Sequence, residues 1–223
     1  ALDVGYRHLD TARVYRNEEE VGRAVRDSAV VREDVFITTK LPPDRPGRAR
    51  ETLSASLAAL EMDYVDLWLI HWPPGGEASP ETWRALIAVR LEGRARAIGV
   101  SNYSIAQIDE LIETTGETPA VNQVKWSPSL HDPVRLAAHR ERGVILEGYS
   151  PFKSTSLRHP ALIEIANAHG VTPAQVVVRW HVQHGIVVIP KTAHLDRLET
   201  NGDVEGFELA AAEMARIDGI SKR

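Results

Sequence analysis

The amino-acid sequence predicts an α/β fold of the (β/α)8 TIM-barrel class, with strands 2 to 8 of the eight present in this chain. Three observations predict it. Short apolar runs alternate with helical stretches along all 223 residues, and such alternation implies a parallel sheet covered by helices. The apolar runs number seven, one short of a closed barrel. Polar residues stand at or near the C-terminal ends of seven different strands: Asp10, Lys40, His71, Asn102, Gln123, Tyr149 and Lys191. In a barrel these ends converge on one mouth, where active sites sit. An open sheet would spread them along an edge, and no G-x-G-x-x-G follows any strand to support a doubly wound dinucleotide fold.

The elements follow in order. Residues 1–5 read as the last turn of a helix with Gly5 as its C-cap. Tyr6 to Asp10 is a short strand. Asn17 with Glu20 three residues on reads as a capping box that starts a helix and leaves Tyr15 in the strand-to-helix loop. Residues 35–39 are a β-rich run ending at Lys40. Residues 48–60 have helical spacing, with Leu53, Leu57 and Leu60 on one face. A strand over 65–70 ends at His71. The helix over 80–92 places Trp83, Leu86, Ile87 and Leu91 on its inner side. A strand over 95–100 ends in Ser101-Asn102, and 105–112 is helical. Residues 120–124 form a strand containing Gln123. A helix over 133–142 is closed by Gly143, and a strand over 144–148 leads to Tyr149-Ser150-Pro151. Residues 161–169 form a helix closed by Gly170, and Thr172-Pro173 opens another to about His184. A strand over 186–189 ends in Pro190-Lys191, and helices over 194–200 and 210–217 finish the chain. No linker, low-complexity tract or repeat beyond this alternation interrupts it, so residues 1–223 are expected to form a single barrel domain.

Composition narrows the function classes. The net charge is -5, which favours neither nucleic acid nor an anionic membrane as partner. No run of about 18 apolar residues suggests a membrane span. Cysteine is absent, which excludes disulfides, zinc-thiolate sites and cysteine nucleophiles and fits a reducing, cytoplasmic setting. Lysine occurs only at Lys40, Lys125, Lys153, Lys191 and Lys222. Arg serves elsewhere, so a lysine ending an apolar strand stands out for its compact ammonium.

Asp10, Tyr15, Lys40 and His71 suggest one piece of chemistry. An unperturbed phenol has a pKa near about 10, and a neighbouring ammonium favours phenolate. Lys40 can supply that charge, Asp10 can keep Lys40 charged, and His71 can orient a carbonyl oxygen. The set reads as a proton-delivery device aimed at one oxygen. No nucleophile stands beside a base, so it is not a hydrolytic triad. A His8/Asp10/His71 metal site is conceivable, but it would leave the lysine and tyrosine without a task. The histidines other than His71 read as surface or structural, and no metal is expected. Trp72 and Trp126 are candidate substrate contacts or rim packing. Ser101-Asn102 also reads as a helix N-cap, Gln123 as a core amide and Tyr149 as packing.

The segments Gly5-Tyr6-Arg7-His8-Leu9-Asp10-Thr11-Ala12, Tyr15 with Asn17-Glu18, the strand ending in Lys40, and Leu69-Ile70-His71-Trp72-Pro73 resemble the aldo-keto reductase family. So do Ile98-Gly99-Val100-Ser101-Asn102, Asn122-Gln123, Tyr149-Ser150-Pro151 and Ile189-Pro190-Lys191, in the right order over essentially the whole chain. The resemblance implies a (β/α)8 barrel and NADPH-dependent reduction of an aldehyde or ketone to an alcohol, or the reverse. It implies Tyr15 as general acid, Lys40 and Asp10 as its tuning pair, and His71 as the group that orients the carbonyl. A Glu in place of that His goes with double-bond reduction in the family; the His here favours carbonyl chemistry.

The resemblance also assigns cofactor positions. Ser101, Asn102 and Gln123 resemble the residues that hold the nicotinamide carboxamide, and Tyr149 the aromatic that stacks on its ring. Ser150 and Phe152 lie beside the pyrophosphate path. Lys191, Thr192 and Arg197 resemble the residues at the adenosine 2′-phosphate, a role suited to a point charge and a fork. Asn201 matches a position near the adenine, while Thr200 stands where the family usually has Glu. The expected partner is a small carbonyl substrate, and the expected state is a monomer. A cofactor-binding regulatory protein on the same fold and a metal-dependent hydrolase barrel are the competing functions. The absence of a first strand leads to the further expectation that the chain by itself is unstable or inactive.

Overall fold

The computed structural model describes residues 1–221. Seven strands lie in one sheet in the order β1 to β7: β1 (His8–Asp10), β2 (Phe36–Leu41), β3 (Val65–Ile70), β4 (Ala95–Ser101), β5 (Val121–Lys125), β6 (Ile145–Tyr149) and β7 (Val187–Ile189). The helices between and after them are α1 (Glu18–Arg26), α2 (Ala49–Leu60), α3 (Pro80–Leu91), α4 (Ile105–Thr115), α5 (Pro133–Glu141), α6 (Pro160–His169), α7 (Pro173–Gln183), α8 (Leu195–Gly202) and α9 (Ala211–Asp218). Every strand is followed by helix, as the sequence predicts. Among the described residues no helix is long and apolar enough to cross a membrane.

The contacts divide the chain into two compact units. The first comprises residues 2–122 and 138–144. Its strands pair in parallel, with Asp10 opposite Thr38 and Lys40 opposite Leu69. Burial of both faces suits a parallel sheet: every residue of β3 is buried. Leu53, Leu57 and Leu60 of α2 pack with Trp68, Trp83 and Leu86 in one core. Gly22 lets α1 approach α2, because a Cβ there would lie 2.1 Å from the Leu60 carbonyl oxygen. Asp66, buried in β3, accepts from Arg32 (2.8 Å), Arg96 (3.2 Å) and the Ile37 amide (2.9 Å), which offsets the cost of burying its charge.

Two local expectations fail in this unit. Asn17 does not form a capping box with Glu20; it makes no side-chain cap bond. Its Oδ1 instead accepts from Thr11 Oγ1 at 2.6 Å, and α1 relies on Glu18, Glu19 and Glu20 in its first turn to oppose the helix dipole. Leu91 is not on the inner side of α3 but 78% exposed. At about 100° per residue it points away from Val89 and Leu86, which are buried.

The second unit comprises Ala1 and residues 123–137 and 145–221 of those described. Its core gathers Val124, Trp126, Leu146, Leu162, Ile165, Val176, Val177 and Trp180. α7 starts with Thr172 and Gln175 capping each other reciprocally. Gly148 permits close packing on α7: a Cβ there would lie 3.2 Å from His181 Cδ2. The His181 ring is fully buried and donates from Nδ1 to the Val177 carbonyl at 2.7 Å.

Candidate active site

The first unit brings Asp10, Tyr15, Lys40 and His71 together. Asp10 closes β1, Lys40 is the penultimate residue of β2, and His71 follows β3. The parallel register carries Lys40 past the end of β1. Its Nζ donates to Asp10 Oδ1 (2.6 Å), Asp10 Oδ2 (2.7 Å) and the Thr11 carbonyl (2.8 Å). Three acceptors match the three ammonium protons, so a fully buried lysine is fully hydrogen-bonded and fixed. The ammonium lies 5.5 Å from the Tyr15 ring centroid. Tyr15 is 51% exposed, and its ring meets His71 edge-on at 5.7 Å.

The loop that carries Tyr15 is braced from below. The Thr11–Asn17 bond spans it, and Thr11 also supplies the third acceptor for Lys40. Glu18, buried at the start of α1, accepts from Thr39 Oγ1 at 2.6 Å and from Arg13 at 3.4 Å. It therefore ties the Tyr15 turn, residues Arg13–Tyr15, to the strand residue next to Lys40. Sequence reasoning gave Glu18 no such task. A signal existed: Glu18, Gly22 and Val25 share the buried face of α1, whereas Glu19 and Glu20 are exposed.

His71 is pushed down to about 4, first by burial and then by the Lys40 charge, with Asp10 opposing. Near neutral pH it is a neutral imidazole, able to donate one hydrogen bond but not to act as a cationic acid. His181 is likewise pushed down to about 4 by burial. Both groups bind a proton more readily in the unfolded chain, where the ordinary value is 6.5. Between these values the unfolded state holds more protons, so stability rises with pH. The contribution is complete above pH 6.5 and is lost as pH falls towards 4. Urea midpoints measured across that window are expected to fall with pH, and less steeply in His71→Gln. Identical slopes for the two proteins would contradict the assignment for His71.

Ser101 and Asn102 end β4 and the turn after it. Ser101 is buried, and Asn102 takes the left-handed conformation at φ 64°. Asn102 Nδ2 donates to Ser101 Oγ (2.9 Å) and to the His71 carbonyl (3.3 Å). Neither residue caps the next helix. Ser104 does that, in a capping box with Gln107, which leaves Ser101 and Asn102 without a capping role. His8 Nε2 pairs with Thr38 Oγ1 at 2.9 Å, and Asp10 is committed to Lys40. Trp72 is 47% exposed.

In the second unit Gln123 is buried in β5, and Tyr149, half-buried, closes β6. Burial pushes the Tyr149 phenol up, with Arg135 opposing. The Tyr149 carbonyl accepts from the Trp126 amide at 3.2 Å. Ser150 is left-handed at φ 55°, and Phe152 packs on the core. Lys191 and Arg197 are exposed, Thr192 is half-buried with Oγ1 accepting from the His194 amide at 3.1 Å, and Asn201 is buried in α8. Trp126 corrects the expectation of a substrate contact. It is fully buried, with Arg135 5.9 Å over its ring and His131 edge-on at 6.1 Å. An indole with no exposed surface packs the core and presents nothing to a substrate.

The family model described as "Aldo/keto reductase family" matches residues 1–222. A 2,5-diketo-D-gluconic acid reductase B of Corynebacterium sp. (strain SHS752001) is 45% identical over 227 residues, covering 100% of this chain and 82% of that protein. An aldo/keto reductase crystal structure from Brucella melitensis superposes with a TM-score of 0.93 at 38% identity, covering 97% of this chain and 85% of the other. A Bombyx mori aldo-keto reductase in complex with NADP superposes with a TM-score of 0.90 at 33% identity, covering 97% and 79%. These likenesses bear out the (β/α)8 barrel class.

Proposed function

Because the chain belongs to the aldo/keto reductase family, we propose that it reduces an aldehyde or ketone to an alcohol with NADPH. The observation that carries the reading is the Lys40 ammonium. It is buried, held by Asp10 and the Thr11 carbonyl, and set 5.5 Å from a half-exposed phenol ring that meets a neutral imidazole edge-on. Held by the cofactor positions named below, NADPH would supply the hydride. Tyr15 gives its phenolic proton to the carbonyl oxygen as charge builds there. Lys40 favours the resulting phenolate through its charge, since its three protons are already engaged. His71 donates a hydrogen bond that orients the carbonyl.

The donor set suits the cofactor. Ser101 and Asn102 offer a hydroxyl and an amide to a carboxamide, as does Gln123, and the Tyr149 ring offers a stacking face. Ser150 and Phe152 are assigned beside the pyrophosphate. Lys191, Thr192 and Arg197 are assigned to the 2′-phosphate and Asn201 to the adenine side. The two cations are exposed, as a phosphate ligand requires. Trp72, exposed and next to His71, is the substrate contact of this reading. The Corynebacterium relative is named for a diketo sugar acid, which points to small polar carbonyl compounds as the first substrates to try.

The test is a carbonyl panel followed by loss of NADPH absorbance, repeated with NADH. The wild type is expected to prefer NADPH. Arg197→Ala should raise the KM for NADPH by about tenfold or more, the worth of one charge-assisted hydrogen bond, with kcat unchanged. Equal use of both cofactors by the wild type would remove the 2′-phosphate assignment. No turnover of any carbonyl would remove the reaction.

A further inference from the structure

Three side chains of the second unit meet outside all the residues assigned above. His131 follows the turn Pro128–Leu130, His184 caps the C-terminal end of α7, and Asp218 ends α9. His184 Nε2 lies 2.8 Å from Asp218 Oδ1, and His131 Nε2 lies 3.7 Å from the same oxygen. One ligand atom from each residue lies within 4.8 Å of the others. The two imidazoles stack at 4.9 Å with 28° between their planes. Trp180 Nε1 donates to Asp218 Oδ1 at 2.8 Å and fixes the carboxylate.

A carboxylate shared by two histidines is the plain alternative, and it accounts for His184 but not for His131. The His131 side chain is only 8% exposed. Its Nδ1 is buried without a hydrogen-bond partner, and its Nε2 is too far from Asp218 to form a hydrogen bond. Its Nε2, the ring atom that faces the Asp218 carboxylate, is thus left for a cation to engage.

We propose that His131, His184 and Asp218 form a binding site for a divalent transition-metal ion of the zinc class. Two imidazoles and one carboxylate suit Zn2+, Ni2+ or Cu2+; Ca2+ and Mg2+ take all-oxygen sets. Three protein ligands leave one tetrahedral position for water. Metal–ligand bonds of about 2.0–2.1 Å put tetrahedral ligand atoms about 3.3 Å apart. The separations of 2.8 and 3.7 Å from Asp218 Oδ1 bracket that value, and the two imidazole ligand atoms lie within 4.8 Å of one another. The Trp180–Asp218 bond is the kind of outer contact that orients a metal-binding carboxylate. A bound ion ties the end of α9 to α7 and to the turn after β5, and raises thermal stability by mass action. This proposal does not depend on the carbonyl chemistry.

Calorimetric titration of Zn2+ into the metal-stripped full chain tests it. One equivalent is expected to bind, with a rise in Tm. His184→Gln and Asp218→Asn should each weaken binding at least about tenfold; the Asn side chain still offers Trp180 an acceptor. His194→Ala, which alters an exposed histidine elsewhere, should leave the affinity unchanged. Absence of saturable binding, or equal affinity in wild type, His184→Gln and Asp218→Asn, would overturn the site. If those two variants do not fold, Cu2+ on the wild type decides. Spin resonance showing two nitrogen ligands, with quenching of the Trp180 ring that lies edge-on to both imidazoles, supports the site. One nitrogen or none overturns it.

Discussion

Tyr15→Phe is expected to lower kcat for carbonyl reduction by about 10²- to 10⁴-fold, the usual contribution of a positioned general acid. The KM for NADPH should barely move, because no cofactor position lies on the Arg13–Tyr15 turn. Stability should hardly change either, since Tyr15 is 51% exposed and substitutions at exposed positions usually stay within about 0.5 kcal/mol. Steady-state kinetics with a thermal melt separates the effects. Retention of full kcat by the variant would remove Tyr15 as the acid.

Lys40→Met is expected to abolish measurable reduction and to destabilise the chain by about 3 kcal/mol, because it leaves Asp10, only 12% exposed, without its counter-ion. That is a large fraction of a typical stability of about 5–15 kcal/mol. The double variant Lys40→Met with Asp10→Asn removes both charges. It should recover much of the stability and none of the activity. Chemical denaturation alongside kinetics reads both. If the double variant were as active as wild type, Lys40 would have no part in the chemistry; if Lys40→Met were as stable as wild type, the pairing would not hold the strand ends.

The Asp10–Lys40 pair was legible in the sequence because each charge stands at the C-terminal end of a strand, Lys40 after a β-rich run. Strand order and barrel class followed from the same alternation. What was not legible depended on register. The Thr11 carbonyl becomes the third acceptor for Lys40 only because β1 and β2 pair with Asp10 opposite Thr38. Asn17 looked like a helix cap, yet a hydroxyl six residues back competed for it and won. Leu91 reads as core by its apolarity, but its angular position on α3 turns it to solvent. Trp126 followed directly on the strand carrying Gln123, and nothing in the local sequence says that Arg135 and His131 cover it. His131, His184 and Asp218 are 53 and 34 residues apart along the chain, too far for any spacing rule to group them.

In the proposed reaction, bound NADPH would supply hydride to a carbonyl carbon and Tyr15 would protonate the oxygen. Reduction of an aldehyde by NADPH carrying deuterium on one face of the nicotinamide, with the product analysed by NMR, tests it most directly. The expected product of the wild type carries one deuterium on the carbinol carbon from one cofactor face only, at a rate that collapses in Tyr15→Phe. An alcohol without deuterium from either face, or no alcohol at all, would contradict the account.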